Sequence, residues 1–448
     1  MTSLPELAER IFISACALTH TTERMTRRFG PAPFLPALFA DRFTHLGGMP
    51  GAEFRAQLAG CRSFEDGRWA GYWQSFARQH LERADTALAR LGGPATPELF
   101  DPTATVASDE LGKLLAPAVT ILADRGPIAN PDAVHHFRTA NPEAADAAIA
   151  LDALIKAMVY EFVAAWPGWS PRRLEAYERS HRLTEILLTA LAPTMGVTIE
   201  SVRIPLGDGD AVRGYLILPQ GVTTVPLVLV ANGLEGTLAE VTLPLLANRH
   251  AGVGFFIMEM PGTYSYREPL SPAAERVYST VLDVLAADPR VDADRIGMLG
   301  FSFGAYWATR MAAVEPRLRV AVANGAPAHH SFGPGGSLGV PEVIVSTLRH
   351  ATGATNLADL SRRLRGMSLE NHYRRIEIPL LVVNGANDTL ISTRDSIDIA
   401  IGAPNAQLVL YANDDHCAMG HAVQWSELSV RFLRDHLVSS DAAEPVMR

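Results

Sequence analysis

Ser302 stands between two glycines in Gly300-Phe301-Ser302-Phe303-Gly304, a spacing that suits a serine used as a nucleophile. A strand-to-helix turn sharp enough to lift a hydroxyl clear of a sheet strains its central residue. A Cβ at either flanking position would then crowd the neighbouring backbone. The same turn puts the next N–H, that of Phe303, at a helix N-terminus, where a developing oxyanion is stabilised. A serine hydroxyl is a weak nucleophile at neutral pH, so it needs a base, and the base needs an orienting acid. Asp388 and His416 follow in that order, each just beyond an apolar run (378–383 and 407–411). Alone, each has a plainer reading: a Gly/Ser turn, an Asx-turn at Asp388, a surface histidine. His421 is a rival base, and Asp414 and Asp415 are rival acids. Together and in this order, Ser302, Asp388 and His416 favour a base-activated serine.

An oxyanion needs a second donor, which in this arrangement comes from the loop after an earlier strand. That loop is Asn232-Gly233-Leu234-Glu235-Gly236-Thr237, and the Leu234 amide is the candidate. Glu235 is unexpected there, because a carboxylate beside an oxyanion opposes it. It either turns outward to a cationic partner or serves as an acid–base or substrate-anchoring group whose pKa is raised by burial. His329 and His330 follow Gly325-Ala326-Pro327 at a strand end and are candidate substrate contacts. Two adjacent histidines in an extended segment cannot face one metal, so neither metal nor cofactor is expected. Glu259, also at a strand end, reads as loop-fixing, and Cys417 reads as a small buried neighbour of the base. Trp166, Trp169 and Tyr160 read as core residues.

These residues require a scaffold of strands ending in loops. Residues 196–448 supply it: near-continuous apolar runs at 227–231, 253–258, 296–300, 320–323, 380–383 and 407–411 alternate with helical patterns, as buried parallel strands do. A hairpin is expected at 197–218 around Gly207-Asp208-Gly209. Residues 1–195 read as helical almost throughout, with apolar spacing of helical period at 6–18, 69–91, 144–165 and 171–191. The expected architecture is an α/β fold of the α/β-hydrolase type, residues 196–448, behind an N-terminal all-helical cap, residues 1–195. Residues 327–372 break the rhythm with glycines and a helix pair, and read as a lid inserted over the strand ends.

The 448 residues carry 48 acidic side chains against 39 lysines and arginines, a net charge of −9 with no basic stripe. Nucleic acid and anionic membrane surfaces are therefore not expected partners. Cys16, Cys61 and Cys417 are odd in number and far apart, which fits a reducing, cytoplasmic setting better than a disulfide framework. The first ten residues lack the basic stretch and cleavage site of a secretory signal, and the apolar runs are too short to span a bilayer.

The motifs Asn232-Gly-Leu-Glu-Gly-Thr, Met258-Glu-Met-Pro-Gly, Gly300-Phe-Ser-Phe-Gly-Ala, Gly325-Ala-Pro-Ala-His-His-Ser-Phe, Asn384-Gly-Ala-Asn-Asp and Asp415-His416 resemble those of the FrsA-like α/β-hydrolases with an N-terminal helical cap. That group includes dihydroxypseudooxynicotine hydrolase and fungal yellowish-green pigment hydrolases that shorten polyketide chains. The resemblance implies Ser302, Asp388 and His416 as the triad, and Glu235 as a cleft glutamate implicated in carbon–carbon bond hydrolysis. It also implies a cap over the C-terminal edge of the sheet, and a homodimer. Glu259 stands where the family more often has Asp. The expected activity is hydrolysis of an ester, or of the C–C bond of a β-dicarbonyl, in a small polyketide-like or aromatic ketone molecule. Acyl transfer or elimination on the same fold, and ligand binding without catalysis, are the alternatives.

Overall fold

The computed structural model describes residues 4–101, 108–207, 209–264, 266–333 and 338–438. Asp208 of the expected hairpin turn and residues 334–337 of the expected lid lie outside them, as do 1–3 and 102–107 of the helical half.

The helices expected from apolar spacing are present as Leu4–Thr19, Asp66–Arg90, Ala145–Ala165 and Pro171–Leu191. The chain signals their ends: Gly92 takes a left-handed φ of 73° just beyond Arg90, and Pro171 occupies the first turn of its helix, where no N–H is needed. Ala145–Ala165 is buried nearly all round, so it forms the axis of the helical half and not one of its faces. Aromatic rings pack against it. Phe39 meets Trp166 at 4.9 Å and Phe43 meets Phe162 at 5.0 Å, both edge-on, the arrangement ring quadrupoles favour. Trp166 and Tyr160 are core residues, as expected. Trp169 is not: it is 39% exposed and stacks on His350 at 5.1 Å.

Eight strands form one sheet: β1 (Val197–Gly207), β2 (Asp210–Pro219), β3 (Val225–Ala231), β4 (Gly254–Met258), β5 (Val291–Phe301), β6 (Leu318–Asn324), β7 (Leu380–Gly385) and β8 (Ala406–Tyr411). Their spatial order is β1-β2-β4-β3-β5-β6-β7-β8. β1 pairs with β2, and β2 with β4, antiparallel. All other pairs are parallel. Every residue of β3 and β4 is buried, which is why these strands read as unbroken apolar runs. Parallel strands bring their C-terminal ends to one edge. The loops after β3, β5, β7 and β8 therefore emerge together, and they hold Leu234, Glu235, Ser302, Asp388 and His416.

The segment after β6 contains two helices, Glu342–Thr352 and Leu357–Arg365. It is tied to the N-terminal helix: Gly339 N–H donates to Ser14 Oγ at 2.8 Å, and His20 Nδ1 lies 2.7 Å from Glu342 Oε1. The buried side chains of the helical half and of the sheet form one continuous core. No described helix is long and apolar enough to cross a membrane.

Candidate active site

Ser302 follows β5 directly and precedes the helix Phe303–Val314. Its backbone is strained, with φ 53° and ψ −122°, the left-handed side of conformational space that L-residues avoid. The two glycines permit that turn. A Cβ on Gly300 would lie 2.1 Å from the Gly304 carbonyl oxygen, and one on Gly304 would lie 2.1 Å from that of Ala231. Phe303 opens the helix, so its N–H has no partner within it.

His416 Nε2 lies 2.9 Å from Ser302 Oγ, and His416 Nδ1 lies 2.7 Å from Asp388 Oδ2. Asp388 is held from three further directions. Its Oδ1 accepts from the amides of Leu390 and Ile391 at 2.8 and 2.9 Å, and its Oδ2 accepts from Asn384 Nδ2 at 2.8 Å. Asn384 also fixes the histidine loop, because its Oδ1 accepts from Cys417 N–H at 3.0 Å. Burial alone would raise the Asp388 pKa, but the facing His416 charge and these donors hold it below the ordinary carboxylate value. Burial likewise favours neutral His416, yet the Asp388 carboxylate outweighs it and holds the imidazole well above its usual value. Such a pair stabilises an imidazolium once a proton arrives.

The loop after β3 closes tightly on the serine: a Cβ on Gly233 would lie 3.0 Å from Ser302 Cβ. Among the described residues the Leu234 N–H makes no hydrogen bond to another turn or loop. The loop is anchored on both sides of that amide. Tyr264 OH donates to the Glu235 carbonyl at 2.5 Å, and Leu238 N–H donates to Glu259 Oε1 at 3.2 Å.

Above Ser302 opens a cavity of about 650 Å³. Its walls are largely apolar and include Leu18 of the N-terminal helix, Leu234 and Val241 after β3, Ile344 and Leu348 of the helix after β6, and Trp425 of the C-terminal helix. A charged cluster lies among them. Arg42, from the helix Phe39–Gly47, donates through Nε and Nη2 to Glu240, the second contact at 2.7 Å. Its Nη1 lies 3.6 Å from Glu235 Oε2. Burial raises the Glu235 pKa, while the charges of Arg42 and His416 oppose that rise.

A family model described as Esterase FrsA-like matches residues 130–415. The chain belongs to the FrsA-like family. Esterase FrsA of Yersinia pestis (strain Pestoides F) is 26% identical over 274 residues, covering 57% of this chain and 66% of that protein. The esterase FrsA of Yersinia pseudotuberculosis serotype O:1b (strain IP 31758) gives the same figures. The match thus spans just under two thirds of these curated relatives' own length. Among solved structures, 2,6-dihydroxy-pseudo-oxynicotine hydrolase superposes with a TM-score of 0.63 at 19% identity, covering 91% of this chain and 98% of that one. AbyA5 superposes with a TM-score of 0.56 at 23% identity, covering 71% and 93%. Both share the α/β-hydrolase fold with this FrsA-like chain.

The FrsA-like chain thus brings Ser302, His416 and Asp388 together, and packs the loop after β3 against the serine at Gly233. The rival groups are used elsewhere. His421 pairs with Asp414 at 2.7 Å, and Asp415 accepts from Thr389 N–H and Oγ1 at 2.6 and 2.9 Å. Glu235 does not turn outward; it lines the cavity and meets its cationic partner, Arg42, there. His329 and His330 are not among the described residues that line the cavity, though Pro327, Ser331 and Phe332 of the same loop are. Buried Asp395 gathers the amides of Ala328, His329, His330 and Ser331 at 2.6–3.0 Å. His329 Nδ1 lies 2.8 Å from Ser368 Oγ, and His330 Nε2 lies 2.7 Å from Asp398 Oδ2. Sequence reasoning missed Arg42, Glu240, Tyr264 and Asn384 as members of the site. Asn384 alone had a signal, four residues before Asp388 at a strand end.

Proposed function

We propose that this protein is a carboxylic-ester hydrolase that acts on a small, largely apolar molecule through an acyl intermediate on Ser302. The observation that carries this reading is the hydrogen-bonded chain from Ser302 through His416 to Asp388 beneath an apolar cavity. Ser302 Oγ attacks the ester carbonyl as its proton passes to His416 Nε2, and the imidazolium is stabilised by Asp388. The Phe303 and Leu234 amides hold the oxyanion. The carbon–oxygen bond then breaks, the alkoxide leaves with the proton from His416, and water repeats the sequence to release the acid. Curated relatives named esterases support the ester as the bond cleaved.

A second reading is hydrolysis of the C–C bond of a β-dicarbonyl, favoured by Glu235. Attack by Ser302 would expel a carbanion, which must gain a proton as the bond breaks. A buried carboxyl with a raised pKa is suited to supply it. Acyl transfer would use the same intermediate, with an alcohol or amine in place of water.

The test is turnover of 4-nitrophenyl esters and of a β-diketone, with products identified in the presence and absence of an alcohol acceptor. Ser302→Ala lowers kcat by at least about 10⁴-fold while the thermal unfolding midpoint is kept. Undiminished turnover by that variant would refute the assignment.

A further inference from the structure

We infer that Tyr264 is a positioning residue for catalysis: gripped by the helical half, it fixes through the Glu235 carbonyl the turn that carries the Leu234 amide. This inference rests on the ester-hydrolase reading, in which that amide holds the oxyanion. It adds a residue that stands behind the loop and is not among those lining the cavity.

Tyr264 is held in a conformation that its own side chain disfavours. Its φ is 44°, on the left-handed side where a bulky residue is an outlier. Such strain persists only where the surroundings over-determine it, and here they do. The ring is buried and stacks on Tyr177 of the helix Pro171–Leu191 at 4.3 Å, with the planes 16° apart. The turn between that helix and Ala145–Ala165 presses on the ring as well: a Cβ on Gly168 would lie 2.3 Å from Tyr264 Cε1. Two separate parts of the helical half therefore aim one hydroxyl.

That hydroxyl donates to the Glu235 carbonyl at 2.5 Å. The Gly236 N–H donates to the Gly233 carbonyl at 3.2 Å, so residues 233–236 form a closed turn, and Gly233 is where it meets Ser302. The flanks of the turn are tied by Asn232 Nδ2, which donates to the Thr237 carbonyl, and by the Leu238 N–H on Glu259. Among the described residues, Tyr264 makes the one hydrogen bond that reaches residues 233–236 from outside the loop. A carbonyl stripped of its donor in a part-buried place carries a desolvation cost, so without the hydroxyl the turn shifts, and the Leu234 amide with it. An oxyanion donor acts only where it is correctly placed.

The experiment measures two inhibition constants against hydrolysis of 4-nitrophenyl acetate by the full chain. Octyl trifluoromethyl ketone copies the tetrahedral intermediate: Ser302 Oγ adds to its carbonyl carbon, the serine proton passes to His416, and the charge comes to rest on the ketone oxygen. Octanol fills the same apolar walls and forms no such bond. Tyr264→Phe removes one oxygen and keeps the ring. It is expected to weaken the ketone and lower kcat/KM at least about tenfold each, and to leave octanol within about twofold of wild type. A merely structural tyrosine would lower the unfolding midpoint and the number of sites that a fluorophosphonate labels, and would leave both inhibition constants unmoved. Should Tyr264→Phe fail to fold, Gly168→Ala pushes the same ring from the helical half, is expected to weaken the ketone and not octanol, and decides alone. An unchanged ketone constant, or ketone and octanol weakened alike, overturns this inference alone. Wild type that neither hydrolyses the ester nor is inhibited by the ketone overturns the ester-hydrolase reading and this inference with it.

Discussion

Glu259 is a buried carboxyl whose hydrogen bonds come from neutral groups: Tyr177 OH at 3.1 and 3.0 Å and the Leu238 amide at 3.2 Å. Burial pushes its pKa up to about 8 from an ordinary 4.5. The folded value is the raised one, so the protonated carboxyl suits the fold. Its full contribution is present below pH 4.5, and it is lost as pH rises toward 8, because the unfolded chain ionises first. The difference across that window is on the order of 5 kcal/mol. A glutamine side chain at this position would keep the neutral form and both bonds at every pH. The substitution Glu259→Gln is therefore expected to stabilise the protein by a few kcal/mol, roughly 2–5, at pH 8.5 and by far less at pH 4.5, measured by denaturant unfolding at both. The loop-fixing role of Glu259 was legible, because the residue ends a strand. Its burial was not, since Tyr177 lies 82 positions away in the chain. Arg42 was hidden for a similar reason: nothing in its neighbours Asp41 and Phe43 says which face of a helix meets a cavity. His329 and His330 were legible as strand-end residues, but their ring partners, Ser368 and Asp398, lie 39 and 68 positions further on and had no signal in the sequence.

At the scale of elements, the site is an edge where four strands stop. Each strand was visible as an apolar run, and each functional loop was the segment that followed it. Ser302, Asp388 and His416 could therefore be named before any geometry was known. The closest packing between those loops was beyond reach of sequence where it sets backbone against backbone. Gly385, the last residue of β7, packs so closely that a Cβ would lie 1.9 Å from the Asp415 carbonyl oxygen. The substitution Gly385→Ala must push the His416 loop away from β7. It is expected to lower kcat about 10²-fold, the effect of an ångström-scale misplacement of a reacting group. Steady-state kinetics check this beside a circular dichroism spectrum, which should stay that of the folded chain.

For the whole molecule, the helices of the first half and the sheet share one core, and the cavity lies where they meet the helix pair after β6. The α/β-hydrolase sheet and the helical half were both legible from periodicity. How they close on each other was not, since many buried apolar faces would satisfy the same pattern. That closure bounds the cavity above Ser302. Leu348→Trp fills the cavity from the side of the Glu342–Thr352 helix. It is expected to reduce kcat/KM for octanoyl against acetyl esters about tenfold or more, read from a chain-length series of 4-nitrophenyl esters.

In the proposed reaction Ser302 is the hydroxyl that His416 activates, 2.9 Å from its Nε2. Fluorophosphonate labelling followed by peptide mass spectrometry tests this most directly. The label is expected on the peptide containing Ser302, is lost in Ser302→Ala, and forms at least about 10³-fold more slowly in His416→Ala. Labelling of a different serine, or labelling of Ser302 at an undiminished rate without His416, would contradict it.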